Sequence, residues 1–312
     1  MADSPLGSGR AMETVMGPFP ANRTKCDLDV RIESEEDAGS YVRRLISYQS
    51  EEGCRTPAYL QIPKTLLTED VNSKNDKALG VLCLHPTDNV VGHQVVVGLG
   101  GKPNRQYAAE LAERGFVTIA PAYPLLANYQ PDWRKLGYAS GTMKAVWDNV
   151  RALDVLESLP FVQPGKFGAI GHSLGGHNAV YSAVFDQRIQ VIVSSCGLDS
   201  YTDYMNGDIT GWTSDRYMPK LLAYRNRVDQ IPFDFHEMIA ALAPRPVLIS
   251  APLGDTNFQW QSVDRIAEAA RPIFELSGAT SKLLVVHPDC DHDFPDNVRK
   301  QAYAFIDKAL RP

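Results

Sequence analysis

Apolar residues along the chain follow two different periods. Short runs rich in Val, Ile, Leu and Tyr lie at 41–49 (YVRRLISYQ), 55–63 (RTPAYLQIP), 79–85 (LGVLCLH), 116–123 (FVTIAPAY), 166–172 (KFGAIGH), 190–196 (QVIVSSC), 245–252 (RPVLISAP) and 282–288 (KLLVVHP). These read as eight β-strands. Between most of them, at 104–115, 141–160, 174–185, 262–278 and 296–310, apolar residues recur at three- and four-residue spacing. That period predicts helices with one buried face. The run QVVVGLGG (94–101) fits neither period and reads as loop.

The first two strands follow each other without a helix, which suits an antiparallel start. The later strand–helix alternation requires parallel neighbours joined by right-handed crossovers. The expected fold is therefore α/β: a mostly parallel eight-stranded sheet with helices on both faces. Residues 197–244 interrupt the rhythm between strands 6 and 7 with a long, aromatic, turn-rich stretch. It reads as a cap-like insertion over the carboxyl ends of the strands, where open α/β sheets bind ligands. Residues 1–22, rich in Gly, Pro, Ala and Ser, read as a flexible segment, which leaves 23–312 as a single α/β domain.

Composition narrows the functional classes. A net charge of -6 without a basic stripe gives no reason to expect nucleic acid or an anionic membrane as partner. No apolar stretch approaches a membrane span, and the first twenty residues lack the charged start and apolar run of a secretory signal. A cytoplasmic location is the expectation, with a homo-oligomer left open. Cys26, Cys54, Cys83, Cys196 and Cys290 are scattered without a C-x-x-C spacing, so neither a disulfide framework nor a zinc site is signalled.

Chemistry enters at GHSLG, which fits G-x-S-x-G and lies between the strand run 166–172 and the helix 174–185. In that context the serine sits on a strained turn with its hydroxyl exposed, and Gly171 and Gly175 let neighbouring backbone pass closely. The helix behind Ser173 supplies unpaired N–H groups and the positive end of its dipole. Such a hydroxyl becomes nucleophilic only beside a base that is itself oriented by an acid.

In this chain order the acid follows the serine and the histidine comes last. Asp255, just after RPVLISAP, suits the acid; Asp199, just after the preceding strand, competes with it, its other reading being a turn aspartate. Asp264 lies on a helix face. His292 sits in the loop before the final helix and suits the base, whereas His287 is still within the strand run and reads as structural. The ligand-type residues of 287–293 have no second group with a recognisable metal spacing, so no metal or cofactor is expected.

Leu174 N–H is one natural oxyanion donor, and the other should come from CLHPTD after the third strand. Pro86 has no N–H, so Thr87 is the candidate, with His85 bracing that loop. His172 and His177 flank the serine and read as packing or supporting residues. Tyr123 and, in the insertion, Tyr201, Tyr204, Trp212 and Tyr217 are candidates to line the substrate pocket.

From 41 to 310 the sequence resembles the α/β-hydrolase superfamily. Within it, CLHPT, GLGGKPNRQYAAELAERGFVTIAPAYP, MKAVWDNVRALDVLESLP, IGHSLGGHNAVYSAVFDQRI and CDHDFP look like the dienelactone-hydrolase and acetyl-xylan-esterase-like group, related to prolyl-oligopeptidase catalytic domains. The resemblance implies a triad of Ser173, Asp255 and His292. Dienelactone hydrolases in the strict sense use cysteine where this chain has Ser173, so serine-esterase chemistry on a small or acetyl ester, through an acyl-enzyme, is the expectation. The alternatives are a serine exopeptidase or amidase, whose usual upstream propeller the short leading segment cannot build, and a non-catalytic binding protein, which typically lacks a triad member.

Overall fold

Runs such as VLCL and VIV lack polar interruptions because the strands they form are covered on both faces. The computed structural model describes residues 8–21, 25–67 and 77–311. Its strands are β1 (Arg31–Asp37), β2 (Tyr41–Glu51), β3 (Cys54–Pro63), β4 (Ala78–Leu84), β5 (Val117–Pro121), β6 (Val162–His172), β7 (Ile189–Ser195), β8 (Val247–Ser250) and β9 (Leu283–Val286). They form one sheet in the order β1-β2-β3-β5-β4-β6-β7-β8-β9. The pairings from β1 to β5 through β3 are antiparallel and the rest are parallel.

The helices are α1 (Ser8–Met16), α2 (Tyr107–Glu113), α3 (Gly141–Ser158), α4 (Leu174–Phe185), α5 (Phe235–Ala241), α6 (Trp260–Leu276) and α7 (Asp296–Leu310). Alternate strand residues face opposite layers, as the period of two demands. Leu82, Ala169 and Ile192 pack with residues of α3, α4 and α6, while Val81, Ile170 and Val191 pack with α2 and α7. Helix α4 is buried from Leu174 to Val184 and so has no polar face.

Three expectations change. The sheet has nine strands instead of eight, because β1 (RIESEED) is exposed along its whole length and carries no apolar signal. Its ladder to β2 and the Arg43–Glu36 and Arg44–Glu35 pairs hold it. Residues 8–16, expected within a flexible segment, form α1, with Met12, Val15 and Met16 fully buried; residues 1–7 and 22–24 lie outside the described part. The run 94–101 contributes to a 3-10 turn (Gly92–Val97) that buries Val95, Val96 and Val97.

The stretch 197–244 lies between β7 and β8 as a series of 3-10 turns followed by α5. Tyr201, Trp212, Phe233 and Phe235 meet one another there and give it an aromatic core of its own. No helix among the described residues is long and apolar enough to cross a membrane.

Candidate active site

Ser173 stands at the carboxyl end of β6, beside β4, where the strand order reverses. Open α/β sheets leave a crevice at that point. Its backbone has φ 56° and ψ −121°, a conformation costing about 1–3 kcal/mol for a residue with a side chain. The turn persists because its surroundings fix it. Ser173 N–H donates to Ser195 O at 2.8 Å, and the N–H groups of Gly176 and His177 donate to Ser173 O at 2.8 and 3.2 Å. A Cβ at Gly171 would run into the Gly175 carbonyl, and one at Gly175 into the Leu84 carbonyl. The glycines are therefore required by close backbone approach on both sides of the serine.

Asp255, in the loop after β8, places Oδ2 2.8 Å from His292 Nδ1, in the loop after β9. The Asp255 side chain is fully buried, while that of His292 is 27% exposed. Burial alone would raise the Asp255 pKa. The hydrogen bond and charge of His292, with the N–H groups of Phe258 and Asn257 on Oδ1, outweigh it and hold the carboxyl below its ordinary value. The His292 ring lies 4.8 Å, centroid to centroid, from that of His172, the last residue of β6, which sets the imidazole beside the Ser173 turn. Neither Ser173 Oγ nor His292 Nε2 has a hydrogen bond among the described residues, and Ser173 lines the cleft described below.

Other contacts fix the His292 loop. Arg105 pairs with Asp293, and its Nη2 donates to His292 O at 3.1 Å. Asn104 Nδ2 donates to Asp293 Oδ2 at 2.7 Å, and Arg299 Nη1 to Phe294 O at 2.7 Å. Isolated charged residues in RQYAAELAERG and DNVRKQ gave no sequence signal for this brace, since its members lie almost two hundred residues apart.

Leu174 and Thr87 line one small cleft with Ser173, together with His177, Tyr204, Gly211, Trp212, Tyr217, Asn257 and Phe258. Leu174 opens α4, so its N–H has no partner within the helix. Thr87 is exposed, with Oγ1 2.9 Å from Tyr217 Oη. His85 braces its loop: Tyr123 N–H donates to Nε2 at 3.0 Å, which leaves Nδ1–H to donate to Pro86 O at 2.8 Å. Burial lowers the His85 pKa to about 4.

Of the proposed pocket residues, Tyr204, Trp212 and Tyr217 line this cleft, whereas Tyr123 and Tyr201 do not. Tyr123 is buried against Leu126, Ala145 and Leu174, with Oη donating to Arg216 O at 2.6 Å. Tyr201 belongs to the aromatic core of the insertion, edge-on to Trp212 and Phe233. Both were misplaced by sequence because a tyrosine that packs and one that lines a cavity give the same pattern. His177 and Phe258 complete the wall. His177 follows Ser173 by four positions, one helical turn, and that spacing was a usable signal. Its ring lies 4.8 Å from that of Trp212, and burial lowers its pKa to about 3.

Asp199 lies apart from His292's partner set. It is fully buried, accepts from Gln259 N–H at 3.1 Å and has its pKa raised by burial to about 6. His287 is held by Ala251 O at 2.8 Å and Asp264 Oδ1 at 3.0 Å. Among the described residues one group of metal-ligand type converges, His172, Cys196 and His292, with ligand atoms within 4.8 Å of one another; of the 287–293 run it includes His292 alone.

Residues 135–278 match the family model described as glucuronyl esterase, fungi. YtaP of Bacillus subtilis (strain 168) is 28% identical over 166 residues, covering 53% of this chain and 53% of that protein. A 4-O-methyl-glucuronoyl methylesterase of Phanerochaete carnosa (strain HHB-10118-sp) is 26% identical over 195 residues, covering 55% of this chain and 47% of its own length. The chain thus spans about half the length of each of these relatives. Among solved structures, a glucuronoyl esterase from Solibacter usitatus superimposes with a TM-score of 0.73 at 18% identity, over 97% of this chain and 91% of that one. With this sheet order and a serine on the strand-to-helix turn after β6, the chain has the α/β-hydrolase fold.

Proposed function

We propose that this protein is a serine esterase acting on carbohydrate esters, with Ser173 as nucleophile, His292 as base and Asp255 as the acid that orients it. The observation that carries the reading is the buried Asp255 carboxylate on His292 Nδ1 beside the strained Ser173 turn. Asp255 fixes the tautomer that leaves Nε2 free to take a proton. As substrate seats, Ser173 Oγ closes on Nε2 and attacks the ester carbonyl, a contact that often tightens only in the loaded site. Leu174 and Thr87 N–H groups receive the oxyanion, the alcohol leaves with the proton from His292, and water then releases the acid.

The cleft wall supports a sugar-borne ester. Tyr204, Trp212, Tyr217 and Phe258 offer aromatic faces, and Trp212 Nε1 is buried without a partner among the described residues, a donor left over for a polar ligand. No lysine or arginine lines this cleft among the described residues, and His177 is held neutral. A neutral ester is therefore accepted without a fixed cation to retain the carboxylate product. The relatives named as glucuronoyl esterases support a uronate as the acyl side.

The test is a panel of p-nitrophenyl esters of increasing chain length, run beside methyl and benzyl glucuronate, an acetylated sugar and the matching amides, with a fluorophosphonate label. Hydrolysis of the sugar esters with amides untouched, and label on Ser173, is expected. Absence of both hydrolysis and label would overturn the proposal, and amide cleavage would move it to the peptidases.

A further inference from the structure

A second cleft opens at the other end of the sheet, and its wall points to a ligand. It is lined by Lys166, Gln190, Pro244, Arg245, Pro246, Ser281, Lys282, Leu284, Phe305, Lys308 and Ala309, and encloses about 550 Å³. These residues gather at the starts of β7, β8 and β9, beside the last turn of α7. Strands β7 and β6 run from there to the Ser173 turn, so roughly 20 Å separates the two sites at about 3.3 Å per residue.

Four of the lining residues are cations and none is acidic. That is out of keeping with a chain of 31 Lys and Arg against 37 Asp and Glu. Neither Lys166, Lys282 nor Lys308 has an ion pair among the described residues, and Arg245 has none within 4 Å. Like charges held together without counter-ions repel, an arrangement that an anion relieves.

Arg245 is the fixed element. It is only 7% exposed, and it is anchored by Nε to Leu242 O at 3.2 Å and by Nη1 to Ala183 O and Ile189 O at 2.8 and 2.9 Å. Its Nη2 is buried with no acceptor among the described residues. A buried guanidinium hydrogen-bonded to carbonyl oxygens, with the Asp186 carboxylate acting on it only from beyond ion-pair distance, keeps positive charge facing whatever occupies the cleft. The three lysines, on longer and more exposed stems, can close on the ligand itself.

Apart from Gln190 and Ser281, the rest of the wall is apolar. Pro244, Pro246, Leu284, Phe305 and Ala309 form it, and Leu284 is among the exposed large hydrophobic residues. A cation cluster above an apolar floor, in a volume within the usual range for small-molecule pockets, fits one chemical class. We propose that this cleft binds a small organic anion, a carboxylate, sulfonate or phosphate carried on an aromatic or acyl body. The inference stands independently of ester hydrolysis.

The test is calorimetric titration of the whole chain with naphthalene-1-sulfonate and, separately, inorganic sulfate. One naphthalenesulfonate per chain should bind, and sulfate should bind at least tenfold more weakly for want of the apolar body. The double variant Lys282→Glu, Lys308→Glu changes two exposed, unpaired residues. It should weaken naphthalenesulfonate binding at least tenfold while its melting temperature stays within a few degrees of the parent. Ser173→Ala should bind as the parent does. Binding that survives the charge reversal, is lost with Ser173, or is matched by sulfate would overturn the assignment, as would no binding at all.

Discussion

Gly254 N–H donates to Cys290 O at 3.0 Å, which ties the loop that carries Asp255 to the loop that carries His292. A second backbone bond, Leu253 N–H to Pro288 O at 3.0 Å, repeats the link one turn earlier. The proposed acid and base are thus brought together by main-chain contacts. Arg105 adds a side-chain clamp through Asp293 and the His292 carbonyl. Arg105→Ala should let the His292 ring drift and lower kcat about ten- to a hundredfold with KM little changed, since a misplacement of about 1 Å can cost a hundredfold in rate. Equal effects on kcat and KM, measured by steady-state kinetics on a folded variant, would place the clamp's role elsewhere.

Ser173→Ala removes the proposed nucleophile but keeps the Cβ, so the strained turn stays as it is, with the backbone still bonded to Ser195 O. Turnover should fall by about a thousandfold or more, as members of such a unit act together. Thermal stability should hold or rise slightly. The measurement is initial rate on a p-nitrophenyl ester with a melting curve beside it; turnover within tenfold of the parent removes Ser173 from the mechanism.

Asp255 and Asp199 make opposite predictions. Asp255→Asn should cut kcat by about a hundred- to ten-thousandfold through loss of the tautomer-fixing acceptor. Asp255 itself is held below its ordinary pKa, so its share of stability is present above the unfolded value and is lost as pH falls through the folded one.

For Asp199 the folded pKa is raised to about 6, so between about 4 and 6 the folded chain holds more protons than the unfolded one, and stability declines as pH rises through that window. Asp199→Asn should leave kcat nearly unchanged, flatten that decline and add up to about 2 kcal/mol at pH 8. Denaturant melts at pH 4, 6 and 8 read the sign directly, and a large loss of kcat in Asp199→Asn would make it the orienting acid.

Gly175→Ala places a methyl group against the Leu84 carbonyl, which β4 and the Tyr107 hydroxyl hold in position. The clash involves backbone, so it cannot be relieved by a rotamer change, and overpacking of this kind costs about 1–3 kcal/mol or more. The variant should either fail to accumulate as soluble protein or have activity lowered at least a hundredfold. Gly165→Ala, at a position with open space around it but a positive φ of 69°, should cost about 1 kcal/mol and leave turnover intact.

Eight of the strands and five of the helices lie where the two periods put them, because buried strands and one-sided helices write their burial into the sequence. Strand β1 could not be seen this way, being held by ladder and charge alone. Helix α1 was hidden by glycine and proline on both sides, although Met12, Val15 and Met16 already had helical spacing. Lys144 shows a further limit. This charged residue of α3 is fully buried between Asp148 at 2.5 Å and Glu51 at 2.9 Å, tying that helix to the β2–β3 hairpin. A single charge carries no mark of its future partner.

What the sequence alone determined is local: the strand–turn–helix around Ser173, the glycines that make its turn feasible, and the loop positions of Asp255 and His292, each readable because neighbouring residues dictate backbone conformation. The contact of Asp255 with His292, the division of the tyrosines between core and cleft, and the convergence of four cations beside α7 were decided by the fold. They depend on residues far apart in the chain that meet only when the sheet closes its order, and pairwise distance across a tertiary structure leaves no periodic trace along it.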